Sequence, residues 1–170
     1  MIQKMMTINQ MFETALIEMY HSEKEVVKII MDNINTSMDL DVKEVFDEHF
    51  SETEEQIRRL ERIFDILKIK LKTKTSNVFM GIEKDKKEFM RSKPSEILVD
   101  LFNLNIGIKI ERLEISGYEM LIMMANVLDF PEFEDLLQEN MNKEKDALDN
   151  LKSLIRSYDL RNLRIENMGL

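Results

Sequence analysis

Glu23, His49, Glu52, Glu111, Glu114 and Glu144 are the side chains whose types and spacing could do chemistry together. Each falls on the inward phase of a helical repeat, where an aliphatic residue is the default. Glu23 sits between Met19 and Val26/Val27, in phase with Leu16 and Ile30 and away from Lys24, Glu25 and Lys28. His49 follows Val45 and Phe46, and Glu52 comes three residues later, ahead of Thr53, Gln56 and Leu60. Glu111 is in phase with Leu104, Ile108, Ile115 and Tyr118, and Glu114 with Gly107, Ile110, Tyr118 and Leu121. Glu144 interrupts the run Leu137, Met141, Leu148 and Leu151. A buried charge is costly unless it is paired, protonated or bound to metal. Five carboxylates in a dry core would cost several kcal/mol per ion, which two divalent or trivalent cations would offset. The donor set of carboxylates and one imidazole suits iron, manganese or zinc. Di-metal bundles take one Glu from each of two helices and a Glu-x-x-His pair from each of the other two. Here the pairs three apart are His49/Glu52, in reversed order, and Glu111/Glu114, without a histidine.

The elements that must position these residues are helical. The chain has 170 residues with Lys+Arg 24, Asp+Glu 33, Gly 4, Pro 2 and Cys 0, and it is 44% apolar. So few breakers beside many Leu, Ile, Met, Glu and Lys predict an all-α domain. Thr7-Ile8-Asn9-Gln10 fits a capping box and opens a helix to about Ile34. A second runs from Asp39 or Asp41 to about Lys70, and a third long helix from after Pro94-Ser95 to about Leu128. The fourth follows Asp129-Phe130-Pro131 and reaches about Tyr158. Between Leu71 and Pro94 the connection is too long for a hairpin turn, and it predicts a crossover carrying a short helix from about Asn77 to Met90. The expectation is one four-helix bundle over 1–158 with a long crossover between helices two and three, then a flexible tail over 159–170.

Composition also excludes. A net charge of −9 disfavours a nucleic-acid partner, whose phosphates are met by Lys and Arg. Without cysteine there are no disulfides, thiol nucleophiles or thiolate metal sites. No basic segment leads into an apolar one at the N-terminus, and no apolar run is long enough to span a bilayer, so the expected location is the cytoplasm.

At four blocks the sequence resembles the YciE/YciF family, a ferritin-like group of stress-response proteins related in fold to rubrerythrins and ferritins. The blocks are Tyr20-His21-Ser22-Glu23-Lys24, His49-Phe50-Ser51-Glu52-Thr53-Glu54, Glu111-Arg112-Leu113-Glu114-Ile115-Ser116-Gly117-Tyr118 and Glu144-Lys145. The resemblance implies a dinuclear centre, iron foremost. Two positions depart from the family pattern. Arg112 follows Glu111 where the family has a histidine, and Lys143 precedes Glu144 where it has an acid. Adjacent helical positions differ by about 100°, so both are expected to flank the ligands.

The leading expectation is therefore a cytoplasmic di-metal carboxylate protein that oxidises Fe(II) or consumes dioxygen or peroxide. Glu23 and Glu144 would be terminal or bidentate ligands, Glu52 and one of Glu111/Glu114 bridges, and His49 would complete one metal. The alternative is a non-catalytic dimeric scaffold whose acidic core is neutralised by Arg112, Lys143 or protons. Apolar residues straying off the main stripe, Ile122, Met123 and Met124, predict a homodimer. His21 reads as surface, Tyr20 and Tyr118 as core with their hydroxyls on carboxylates, and the 14 methionines as core filler. The lysine-rich runs Lys68–Lys72 and Lys84–Lys87 read as solvated helix ends.

Overall fold

A computed structural model of the chain describes residues 5–70 and 76–158. Five helices form: α1 (Ile8–Thr36), α2 (Leu40–Leu67), α3 (Asn77–Arg91), α4 (Glu96–Val127) and α5 (Pro131–Ser157). Among the described residues there is no strand. The all-helical expectation and its element order hold, with ends displaced by a few residues. The largest displacement is at α2, where Lys68 takes the left-handed conformation at φ 53° and stops the helix three residues before Lys70. The expected tail over 159–170 lies outside the described residues, as do Leu71 and Lys72 of the first lysine run.

Local chemistry fixes the helix starts. The Thr7 hydroxyl accepts from Gln10 N at 3.2 Å while the Gln10 side chain accepts from Thr7 N, completing the capping box. Asp39 caps α2 by accepting from Asp41 N at 2.8 Å. A second carboxylate reaches this junction from α4, where buried Asp100 accepts from Met38 N at 2.8 Å and from Asp39 N at 3.1 Å. One side chain thus ties the α1–α2 turn to a helix sixty residues away in the chain.

The cross-helix pairs give the directions. Glu23 pairs with Tyr118 and Asn33 with Asn103, so α1 and α4 are antiparallel. Glu52 pairs with Lys143 and Arg62 with Glu132, so α2 and α5 are antiparallel as well. The short α1–α2 and α4–α5 turns make those neighbours antiparallel too. Helices α2 and α4 therefore run the same way, and the segment joining them must travel the length of the four long helices. It does so through α3, which lies on α1 and α4: Phe79 is buried, and Phe89 stacks on Phe102 with ring centroids 4.0 Å apart. Lys86 departs from the solvated position expected for it. It is 7% exposed, and its ammonium donates to Asn33 Oδ1 at 2.7 Å and Thr36 Oγ1 at 3.0 Å and lies 2.6 Å from Asp32 Oδ2. It shares the α3 face of Phe79 and Ile82, seven and four residues earlier, so it is drawn in with them.

The apolar interior is in two parts. One holds Phe12, Leu16, Leu60, Phe64, Leu121 and Leu137; the other holds Val26, Ile30, Phe46, Leu104, Ile110 and Leu151. Between them, at one height on all four long helices, runs a buried polar layer. Glu23, His49, Thr53, Gln56, Glu111, Glu114, Asn140 and Glu144 form it. Methionine follows its expected role only in part. Met19, Met124 and Met141 are buried, whereas Met11, Met31, Met80, Met120 and Met123 are exposed. Of the three stray α4 residues, Met124 is core, Ile122 packs against the core and Met123 alone is exposed.

The Asp100 junction generates a stability prediction. Removing this carboxylate leaves two backbone N–H groups without their charged acceptor, a loss of about 1.5–3 kcal/mol. Asp100→Ala should lower the unfolding free energy in urea by about that amount. An unchanged midpoint would show that water replaces the carboxylate without cost.

Candidate metal centre

Phase on α2 determines which of its polar residues enter the polar layer. The buried stripe runs Val42, Phe46, His49, Thr53, Gln56, Leu60. Glu52 is set back from His49 by about 60° around the helix. It faces α5 at the rim, where its Oε1 lies 3.1 Å from the Lys143 ammonium and its side chain is 42% exposed. The other five expected ligands, Glu23, His49, Glu111, Glu114 and Glu144, are buried together.

They form two overlapping groups. His49, Glu111 and Glu144 make one, and Glu23, Glu114 and Glu144 the other; within each, one donor atom per residue lies within 4.8 Å of the rest. His49 Nδ1 is 3.2 Å from Glu111 Oε1, and His49 Nε2 is 3.7 Å from Glu144 Oε2. Glu144 belongs to both groups.

Two neutral side chains hold the carboxylates on α1 and α5. The Tyr118 hydroxyl donates to Glu23 Oε1 and accepts from Asn140 Nδ2 at 2.9 Å. Gln56 Nε2 donates to Glu144 Oε1 at 2.5 Å and to the Asn140 carbonyl at 3.3 Å. Asn140 returns a hydrogen bond to the Gln56 carbonyl at 3.2 Å. Arg59 donates to Asn140 Oδ1 at 3.1 Å and reaches outward to Glu139 at 2.5 Å. Of this supporting set the sequence singles out Tyr118, and not Gln56, Asn140 or Arg59. Its trace there is the run of uncharged polar residues, Thr53, Gln56 and Asn140, on otherwise aliphatic stripes.

Many donor atoms remain open. Glu23 Oε2, Glu144 Oε2, both oxygens of Glu111 and of Glu114, and both His49 nitrogens are buried without a hydrogen-bond partner. Among the described residues, none of the four carboxylates pairs with Lys or Arg. Arg112 is exposed on the outside of α4, and Lys143 is engaged with Glu52, so neither neutralises the layer. Burial pushes the Glu23, Glu111 and Glu114 carboxyls well above the usual carboxylate range, and the negative charge of Glu144 adds to it in all three. Glu23 also raises Glu114, and the Tyr118 hydrogen bond works the other way on Glu23. Burial and the charges of Glu23 and Glu144 likewise raise the Tyr118 phenol well above its ordinary value, keeping it a donor. These residues fit a pair of cations. Four carboxylates match the charge of two divalent ions, and the donors left open are the oxygen and nitrogen types such ions take.

Of the remaining expectations, Tyr20 and Tyr118 are core residues whose hydroxyls donate to Glu61 and Glu23. His21 is half-buried against the Tyr20 ring, with centroids 5.6 Å apart, and stands outside the cluster.

The raised carboxyls set the pH dependence of the metal-free chain. A carboxyl whose folded pKa exceeds its unfolded value, 4.5 for glutamate, stabilises the fold below that value, and the contribution is lost as pH rises through the folded pKa. The melting temperature of metal-free protein should therefore fall as the pH is raised above about 5. A Glu111→Gln, Glu114→Gln variant should flatten that slope and melt higher than the parent at the upper pH. A variant less stable than the parent there would contradict the charge repulsion.

Comparison with known proteins agrees with the four blocks of sequence. Residues 7–163 match the family described as Domain of unknown function (DUF892). Protein YciF of Escherichia coli is 24% identical over 142 residues, covering 83% of this chain and 86% of that protein. The crystal structure of YciF, an E. coli stress protein, superposes with a TM-score of 0.83 at 24% identity over 89% of this chain and 96% of that one. YcfI of Rhodopseudomonas palustris gives 0.84 at 24% identity over 89% and 97%, and a Xanthomonas campestris protein 0.72 at 16% over 95% and 100%. The fold is thus shared, and by the match over nearly its whole length this chain belongs to the DUF892 family, with YciF among its relatives.

Proposed function

We propose that the chain is a ferritin-like di-metal carboxylate protein. One ion would be held by His49, Glu111 and Glu144 and the other by Glu23, Glu114 and Glu144. The observation carrying this reading is that Glu144 is common to two groups of buried donors whose remaining oxygens and nitrogens have no partner. On this reading Glu144 would bridge, where the sequence reading gives that role to Glu52 and one of Glu111/Glu114. Four long helices with one long crossover is also the connectivity of ferritin-like folds. When bound, a pair of Fe(II) ions would supply electrons to dioxygen or peroxide, so the activity proposed is oxidation of Fe(II) with either as acceptor. That fits the description of E. coli YciF as a stress protein. The residues around the pair have separate tasks. Gln56 and Tyr118 fix one oxygen each of Glu144 and Glu23 and leave the other free to ligate. Asn140 locks both supports to one another, and Arg59 anchors Asn140 from the rim. The apolar clusters above and below keep water from the oxygens.

A scaffold reading has one support: YcfI, a fold relative, is provisionally called a structural protein. The two readings differ in metal content. Protein loaded anaerobically with Fe(II) or Mn(II) and desalted should hold about two ions per chain by plasma mass spectrometry. Glu144→Ala should lose both ions, His49→Ala one, and Glu52→Ala neither. An unloaded parent chain, with Glu144→Ala more stable than it, would overturn the di-metal reading in favour of the scaffold. The homodimer remains a proposal resting on exposed Leu113, Met120, Met123 and Val127 of α4.

A further inference from the structure

The polar layer is reached from two opposite sides, and the two openings differ in chemistry. On the α2/α5 side a cleft of about 550 Å³ has His49 in its wall. Asp47, Glu48, Glu52 and Asp146 line it, and Lys143 is the one ammonium among its lining residues. His49 is only 6% exposed, and neither ring nitrogen has a hydrogen-bond partner. A solute reaching the floor of the cleft therefore meets an open imidazole backed by Glu111 and Glu144. On the α1/α4 side a smaller cleft of about 330 Å³ reaches Glu114; Met11, Met19, Phe79, Leu113 and Met120 dominate its walls, with Glu18, Ser22 and Ser76 as their polar members.

A hydrated divalent cation discriminates between these routes. The four carboxylates of the α2/α5 cleft raise its local concentration and can replace its waters in steps, whereas the largely thioether and aromatic α1/α4 cleft offers a hard cation Glu18 as its one carboxylate on the way to Glu114. We propose that cations reach the cluster through the α2/α5 cleft and that the Lys143–Glu52 ion pair at its mouth governs their rate of uptake. This rests on the di-metal reading above. The pair is 3.1 Å long with side chains 38% and 42% exposed, the kind of contact that salt screens and rotamer motion breaks. It leaves the cleft passable and sets the charge a cation meets there. Glu52 thus acts on the metals from outside, as a guide and not as a ligand.

The test is stopped-flow uptake of Co(II), followed by its visible absorption, with the final Co(II) content measured on the same samples. Lys143→Glu should accelerate uptake at low ionic strength by about tenfold, and Glu52→Gln, which leaves the ammonium unopposed, should slow it several-fold. Lys87→Gln, a charge change on α3 across the molecule, should leave the rate unchanged. Raising salt to about 0.5 M should compress the differences. Normal final content at an unchanged rate in Lys143→Glu would overturn the route, as would equal acceleration by Lys87→Gln. A parent chain that takes up no Co(II) at equilibrium would overturn both the route and the di-metal reading beneath it.

Discussion

Mutual repulsion among Glu23, Glu111, Glu114 and Glu144, buried with few donors to answer them, is the constraint on which the rest of the structure depends. Left to itself, such a layer would drive its helices apart or admit water. It is held closed by the two apolar clusters that clamp all four long helices on either side of it. Features remote from the layer serve the same end. Asp100 pins the α1–α2 turn to α4, and Lys86 seats the crossover helix on α1 through three oxygen partners. Together they keep the frame closed around an arrangement that is unfavourable by itself.

Within the layer the donors are unequally committed. Glu144 and Glu23 each have one oxygen fixed by a neutral donor, Gln56 or Tyr118, while Glu111 and Glu114 on α4 have no amide or phenol holding either oxygen. The α1 and α5 carboxylates are thus oriented in advance, and the α4 pair is free to adjust to an ion. A neutral amide and a phenol suit this task because they orient an oxygen without supplying a charge that competes with a cation. Had Arg112 faced inward, its guanidinium would have satisfied the same oxygens and left no vacancy to fill. It points to solvent instead.

The fold was legible in sequence because its signals are local. A capping box at Thr7, the prolines before α4 and within the start of α5, and apolar repeats at three and four each mark one helix without reference to the others. Lys86 was misread because its burial depends on α3 lying along α1, a tertiary fact that three neighbouring charges conceal. Five of the six residues read from sequence are buried together in the candidate site, since a charge on an aliphatic stripe is conspicuous. Glu52 went astray for a geometric reason. His49 already lies off the centre of the α2 stripe, and Glu52 is about 60° further out on the same side, past Gln56; the stripe itself continues through Thr53 and Gln56, whose uncharged side chains carry a weaker signal. The support given by Asn140 and Arg59 depends on the height at which α5 meets α2, which no single-helix pattern specifies.

The central claim is that the polar layer is a two-cation site bridged by Glu144. Anomalous diffraction from crystals grown with Mn(II) tests it most directly. Two peaks are predicted inside the layer, one among His49, Glu111 and Glu144 and the other among Glu23, Glu114 and Glu144. A layer without anomalous signal at saturating Mn(II), or peaks confined to the rim near Glu52, would contradict it.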